Sequence, residues 1–146
     1  MGLPDQLVNL AMETVSTTSY SILINGEPKG LIKPTRGIKQ GDLLSLYLFL
    51  FCIEGLSSLI RKAVTTNKLK GIQSCRGGVR IAHLLFADGS LLFCESKKGE
   101  CQQLLDILTQ YEEASGQAIN KQKTTIFFSK NTIPRVKEEI QNLFDA

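Results

Sequence analysis

One carboxylate interrupts an apolar stretch at residues 83–94, where Asp88 is followed by Gly89. An Asp-Gly pair supplies the positive φ values of a two-residue type I′ turn, so the stretch predicts a β-hairpin with Asp88-Gly89 as its turn. Carboxylate oxygens bind hard divalent cations such as Mg²⁺, but one carboxylate cannot impose near-octahedral geometry on the ion. Because aspartate in a turn also bonds its own backbone, a purely local role for Asp88 is the alternative.

The arms that position this carboxylate are apolar on both faces. Alternate residues of the first arm share a face: Ile81, His83, Leu85 and Ala87 on one side, and Leu84 and Phe86 on the other. This pattern predicts a central strand that is buried on both faces, with Asp88 at the rim of the sheet.

A second candidate segment, residues 36–49, leads into a long apolar helix. Glycine permits a tight turn and close approach of a ligand, so Gln40-Gly41 predicts either a ligand contact or simple entry into the helix, with Asp42 as N-cap. Four cations precede or overlap this segment: Lys29, Lys33, Arg36 and Lys39. They are candidates for contacts with nucleic-acid phosphates, and a solvated basic loop is the alternative.

Three motifs together resemble the reverse transcriptase of plant non-LTR (LINE-type) retrotransposons. The patterns of that family run RQGDPLSPYLF, FADD and SGQ.IN..K. This chain has RGIKQGDLLSLYLF at residues 36–49, FADG at 86–89 and SGQAINKQK at 115–123, in the same order, with similarity along nearly its whole length. The resemblance implies an RNA-directed DNA polymerase, a palm fold, Mg²⁺ as cofactor, and an RNA template and a DNA primer as partners.

The resemblance also implies roles for individual residues. A nucleotide or template base would contact Gln40, Gly41, Phe86 and Ala87, and the basic cluster would contact the nucleic-acid backbone. Asp88 would be a catalytic metal ligand. Lys123 would protonate the leaving pyrophosphate or stabilise its charge, a role that needs a cation beside the phosphates.

Two departures from the family pattern predict loss of catalysis. Such polymerases use two metal ions about 4 Å apart, held by several carboxylates. Gly89 replaces the second acid of the hairpin, and the acid expected upstream of residues 12–25 has no counterpart, since Asp5 lies in a helical context. We expect a degenerate palm domain over residues 1–146, without the early motif and the thumb, inactive alone and without productively bound Mg²⁺. Gly89 also has a structural interpretation, because glycine relieves strain and charge repulsion in the turn.

Composition sets broader limits. A chain of 146 residues that is 42% hydrophobic predicts one domain with its own core, and a net charge of +3 is too small to argue for nucleic-acid binding. Four cysteines without a C-x-x-C pair predict no zinc site and a reducing intracellular compartment, nuclear or cytoplasmic and not secreted. The apolar run 43–53 is shorter than a membrane span and predicts a buried helix.

Periodicity and turn residues predict the order of elements as helix, hairpin, helix, hairpin, helix, strand, helix. Helices are expected over residues 5–17, 43–65, 97–114 and 134–144, with Ser96 as a cap and Gly116 as a stop. Strands are expected over residues 20–24 and 27–33, in the 83–94 hairpin and over 124–129. The predicted fold is an α+β partial palm, an antiparallel sheet with packed helices, of marginal stability or prone to aggregate.

Three functions fit these observations. The first is an inactive fragment of a retrotransposon RNA-directed DNA polymerase. The second is a polymerase piece that is active only when an intact partner supplies the missing acids. The third is a repurposed nucleic-acid-binding or interaction module.

Overall fold

The computed structural model describes residues 4–34, 43–86 and 89–144. The architecture is α+β, as predicted. Its elements are α1 (Asp5–Ser16), β1 (Tyr20–Ile24), β2 (Glu27–Ile32), α2 (Leu43–Thr65), β3 (Ile72–Gln73), β4 (Arg80–Ile81), β5 (His83–Leu85), β6 (Ser90–Leu92), α3 (Lys98–Ser115), a 3₁₀ helix (Lys121–Lys123) and α4 (Pro134–Phe144). The chain forms two compact units, Met1–Phe51 and Cys52–Ala146, and the boundary lies within α2.

The first unit contains the hairpin that the sequence predicts from Asn25-Gly26. Asn25 and Gly26 have φ values of 53° and 83°, as a type I′ turn requires, and Ile24 pairs with Glu27 across it. The pairing shifts between Tyr20 and Ile22, and Gly30, with φ of 70°, lies in the partner strand at this irregularity. The turn residues alone therefore predicted this hairpin correctly.

The apolar side chains of the first unit remain largely exposed. Helix α1 has no buried residue, and Leu23 on β1 is 70% exposed. The prediction that the early part of α2 is buried is wrong for Leu46, Tyr47 and Leu50, which are more than half exposed. An apolar run shows that a helix can be buried, but burial also needs an element packed against it. Within the described residues, no helix is long and apolar enough to cross a membrane.

The second unit has the hydrophobic core. Ile60 on α2 and Leu69 in the following loop are completely buried, and they pack with Leu56, Ala63, Ile107 and Tyr111. Leu85 and Leu92, on the hairpin β5–β6, pack against this cluster from the sheet side. The core therefore joins the second half of α2, helix α3 and one face of the hairpin.

A tight turn after α2 directs Leu69 into this core. Asn67 has a left-handed φ of 56°, and the backbone N–H groups of Lys68 and Leu69 both donate to the carbonyl of Ala63, at 2.8 and 3.1 Å. These bonds satisfy the carbonyl group of Ala63, which the helix end would otherwise leave free. The chain then forms the short pair β3–β4, which the sequence did not predict.

Helix α3 begins one residue later than predicted. Lys97 is the N-cap and makes no side-chain capping bond, whereas the hydroxyl of Ser96 lies 3.5 Å from that of Thr132. The prediction of Ser96 as the cap is therefore wrong. Gly116 ends the helix with φ of 69°, as predicted, because glycine takes the left-handed conformation without steric cost.

The sheet is divided into separate pairs. Among the described residues each strand pairs with one neighbour, giving β1–β2, β3–β4 and β5–β6, all antiparallel. The predicted strand over residues 124–129 is absent, and Phe127 within it is 86% exposed. A β-rich segment becomes a strand only when a neighbour pairs with its backbone. No described strand does so here.

Candidate functional site

The hairpin β5–β6 forms as predicted, but the register in which its arms pair differs from the one that the predicted turn implies. Leu85 pairs with Ser90, and the N–H of Phe86 donates to the carbonyl of Gly89 at 2.8 Å. The prediction of Gly89 as a turn residue between the arms is therefore wrong, and Asp88 lies outside the described residues. Gly89 instead begins the return arm, opposite Phe86.

Only one face of the hairpin is covered. Leu85 and Leu92 pack on the core, whereas Leu84, Phe86 and Leu91 are 42%, 55% and 45% exposed. The prediction of a central strand buried on both faces is therefore wrong. A strand with neighbours on both sides and helices on both faces would need elements that the described part of the chain does not place there.

Gly89 stands where the resembled motif has its second acid. A Cβ atom added at Gly89 would meet no heavy atom within 4 Å. The structure therefore has open space for a side chain at this position, and the sequence supplies none. Packing of the described residues therefore does not exclude a Cβ atom at this position.

Several predicted site residues lie outside the described residues, so their roles stay predictions. They are Arg36, Lys39, Gln40, Gly41, Asp42, Ala87 and Asp88.

Lys123 lies at the end of the 3₁₀ helix and is exposed. Its backbone N–H donates to the side-chain oxygen of Asn120 at 3.2 Å, and the hydroxyl of Thr124 donates to the carbonyl of Asn120 at 2.9 Å. Asn120 therefore caps this turn. These bonds give Asn120 and Thr124 a structural role that requires no catalytic function. The predicted role of Lys123 as a general acid is untested.

Lys29 and Lys33 lie in the first unit, on β2 and just after it. The ammonium group of Lys29 is 2.8 Å from the carboxylate of Glu27, and the two side chains are 58% and 72% exposed. Such exposed ion pairs are screened by water and contribute little to stability. Lys29 therefore remains accessible to a competing anion such as a phosphate.

A serine–histidine contact that sequence reasoning missed joins α2 to the hairpin. The Oγ atom of Ser57 lies 2.9 Å from Nε2 of His83. Burial lowers the pKa of His83 first, the nearby Arg61 guanidinium lowers it further, and Glu54 opposes both. Ser57 is only 7% exposed, so its hydroxyl is not presented to a substrate as a nucleophile would be. The contact is structural.

A buried carboxylate, also missed, organises the start of α3. Glu100 is 8% exposed, and its Oε2 atom accepts the backbone N–H groups of Glu95 at 3.1 Å and Lys70 at 3.2 Å. The sequence signal that could have identified Glu100 is its position as a polar residue at the start of an apolar helical stripe. Glu100 therefore fixes the backbone of two loops beside the hairpin. Its Oε2 atom is used in these bonds and not in binding a ligand.

The donor groups present do not form a metal centre. Among the described residues, no three side chains of histidine, cysteine, aspartate or glutamate are grouped so that they could hold a metal ion. Gly89 offers no side-chain oxygen, and Phe86 opposite it is apolar. The described end of the hairpin thus does not supply the paired carboxylates of a two-metal site.

Comparison with known proteins gives a coherent set of similarities. A family model for reverse transcriptase (RNA-dependent DNA polymerase) matches residues 3–143. An uncharacterized mitochondrial protein of Arabidopsis thaliana is 53% identical over 66 residues, covering 45% of this chain and 54% of that protein. A retrovirus-related Pol polyprotein from the type-1 retrotransposable element R2 of Popillia japonica is 26% identical over 140 residues, covering 93% of this chain.

The chain spans only part of both relatives, since the match to the polyprotein covers 22% of its length. No solved structure matches the chain.

Proposed function

The chain belongs to the reverse transcriptase (RNA-dependent DNA polymerase) family, and from this premise we propose that it is a polymerase palm fragment without catalytic activity of its own. The observation that carries the proposal is Gly89, which replaces the second acid of the hairpin motif at a position where a side chain would have room. The relatives support an origin in a non-LTR element, of the plant type that the three motifs resemble.

Catalysis in this family normally depends on a divalent metal. Two such ions at one site need several carboxylates, and an Mg²⁺ ion tolerates little departure from octahedral geometry. The hairpin motif of this chain retains Asp88 alone. We therefore expect Asp88 to bind Mg²⁺ weakly at most and assign no catalytic step to this site.

The test is primer extension on an RNA template with Mg²⁺, using a purified chain whose cooperative melting shows that it is folded. The expected result is no extension by the wild type or by Gly89→Asp. Extension by the wild type that Asp88→Ala abolishes would contradict the proposal, because it would require metal ligands other than the hairpin pair.

A complemented activity is a distinct outcome of the same assay. Adding an intact reverse transcriptase of a non-LTR element supplies the missing acids. The proposal expects the rate of the mixture to equal that of the added enzyme. A higher rate that depends on Asp88 of this chain would overturn it in favour of a piece that acts with a partner.

A second candidate function is nucleic-acid binding without chemistry. It rests on the exposed Lys29, whose only described ion pair is with the exposed Glu27. With Lys33, Arg36 and Lys39 it would contact template and primer phosphates. Such binding weakens steeply as the salt concentration rises, because the counterions that it displaces from the nucleic acid then gain less entropy.

Fluorescence anisotropy with an RNA–DNA primer-template tests this binding. Alanine at Lys29, Lys33, Arg36 and Lys39 should weaken binding and flatten its dependence on salt. The matched control removes the same charges from other exposed positions, Lys68, Arg76, Lys98 and Lys130. Equal losses in the two variants would show that net charge, and not the basic cluster, drives the binding.

A further inference from the structure

Two thiols lie against each other where the hairpin meets α3. Cys94 follows β6, Cys101 lies in the first turn of α3, and their Sγ atoms are 3.8 Å apart. Both are free thiols. A disulfide has a sulfur–sulfur bond of about 2.05 Å, so the two sulfur atoms, 3.8 Å apart, must approach by about 1.8 Å for the bond to form.

The surrounding backbone holds the two cysteines in this arrangement. The N–H of Cys101 donates to the carbonyl of Lys97 at 3.0 Å, and its Sγ lies 3.9 Å from the carbonyl of Glu95. Glu95 is itself bonded to the buried carboxylate of Glu100 at 3.1 Å. The short connection between β6 and α3 therefore presents Cys94 to Cys101 in the folded state.

We propose that Cys94 and Cys101 form an oxidisable dithiol, which a peroxide converts into a disulfide that ties the end of the hairpin to α3. Cys94 is half-buried and Cys101 is 2% exposed, so Cys94 is the thiol that the oxidant reaches first. This inference is independent of the proposed polymerase origin.

The reaction balances in two steps. The Cys94 thiolate attacks one oxygen of hydrogen peroxide, the O–O bond breaks, and with one proton the products are the Cys94 sulfenic acid and water. The Cys101 sulfur then attacks the Cys94 sulfur, forms the S–S bond and releases the sulfenic oxygen as a second water. Two thiols are oxidised and one peroxide is reduced.

The environment makes this oxidation slow at neutral pH. Burial, followed by the nearby Cys101, raises the pKa of the Cys94 thiol to about 12, and burial also raises the pKa of Cys101. Because the thiolate is the reactive form, the rate should rise with pH across the neutral and alkaline range. Proximity acts in the second step, because the sulfenic acid formed at Cys94 has the Cys101 sulfur 3.8 Å away.

Peptide mapping provides a direct test, since each cysteine lies in a different tryptic peptide. Cys94 lies in residues 81–97, Cys101 in 99–121, Cys52 in 40–61 and Cys75 in 71–76. The folded chain is treated with hydrogen peroxide or with a reductant, alkylated and digested without reduction. We expect peptides 81–97 and 99–121 to appear as one cross-linked species after oxidation, lighter by two hydrogen atoms than the two thiol peptides together.

Matched variants separate this pair from the other thiols. Cys75→Ser should keep the cross-link, and Cys94→Ser should abolish it while melting as a folded protein. The proposal is overturned if peptides 81–97 and 99–121 remain alkylated after prolonged treatment with peroxide at alkaline pH, or if either is joined mainly to another cysteine.

A denatured sample gives the final comparison. The Cys94–Cys101 linkage should form a larger share of all linkages in the folded chain than in guanidinium chloride. Equal shares would show that the fold does not direct the pairing and would also overturn the proposal.

Discussion

Ser57 on helix α2 and His83 on strand β5 are joined side chain to side chain, with 2.9 Å between Oγ and Nε2. The two residues are separated by 26 positions in the chain, so this bond links two elements that are distant in sequence. It anchors the hairpin that carries the remaining acid of the polymerase motif to the hydrophobic core. The consequences of this and other contacts can be measured.

Ser57→Ala should lower the free energy of unfolding by about 1 kcal/mol, because it leaves a partly buried ring nitrogen without its partner. Urea denaturation measures the effect. Ser58→Ala on the same helix is the matched control, since the hydroxyl oxygen of Ser58 accepts a hydrogen bond at 3.3 Å from the exposed guanidinium group of Arg61. Equal effects of the two substitutions would show that the Ser57–His83 bond adds no stability.

Stability should fall as His83 is protonated. Its pKa is lowered in the fold, mainly by burial, so its contribution is fully present above the unfolded value of about 6.5 and is lost as pH falls through the lower folded value. Urea denaturation from about pH 8 to about pH 5.5 follows this loss, in a range where ordinary carboxylates stay ionised. His83→Gln, which cannot be protonated there, should show a flatter profile. An unchanged slope would contradict the assignment.

Glu100→Ala should cost about 1–3 kcal/mol of stability, because the N–H groups of Glu95 and Lys70 lose their acceptor. Glu100→Gln retains an oxygen acceptor and should cost less. Thermal and urea unfolding compare them with Glu113→Ala, which removes an exposed carboxylate from the same helix. If Glu100→Ala matched Glu113→Ala, the two backbone bonds would carry no net stability.

Gly71→Ala should be more harmful than Gly77→Ala, although both glycines have left-handed backbones, with φ of 66° and 77°. An added Cβ at Gly71 would lie 2.4 Å from the carbonyl oxygen of Ile81, whereas at Gly77 it would meet nothing within 4 Å. The shared conformational cost is about 1–2 kcal/mol, and overpacking should add about 1–3 kcal/mol at Gly71 alone. If the unfolding midpoints of Gly71→Ala and Gly77→Ala fell equally, the backbone at Ile81 on β4 must be able to move away from the added methyl group at Gly71.

Gly89→Asp should leave the melting temperature close to that of the wild type, because the added side chain enters open space and exposed substitutions usually change stability by less than about 0.5 kcal/mol. Differential scanning fluorimetry measures this shift. A large destabilisation would favour the structural interpretation of Gly89, in which glycine relieves crowding of the turn.

Local sequence signals were reliable where the structure depends on neighbouring residues. Apolar spacing predicted α4 at residues 134–144, and Asn25-Gly26 predicted the first hairpin, because helical periodicity and type I′ turns are properties of short segments. Gly116 ended α3 for the same local reason. The three motifs indicated the family, and the family match over residues 3–143 confirms that assignment.

The hairpin register shows where such signals stop. The predicted turn would place Leu92 opposite Leu85, whereas the structure places it opposite His83. Both registers keep the same side chains on the same face, since they differ by two residues and strand side chains alternate with period two. The apolar pattern therefore cannot distinguish the two registers.

The sequence by itself determined the approximate bounds of the helices, the Asn25-Gly26 turn, the family and the missing second acid at Gly89. Only the tertiary structure decided that one face of β5–β6 is covered, that residues 124–129 form no strand, and that Ser57 meets His83 and Cys94 meets Cys101. The reason is that helices and turns form from local bonds, whereas burial, strand pairing and side-chain contacts need a partner that is distant in the chain.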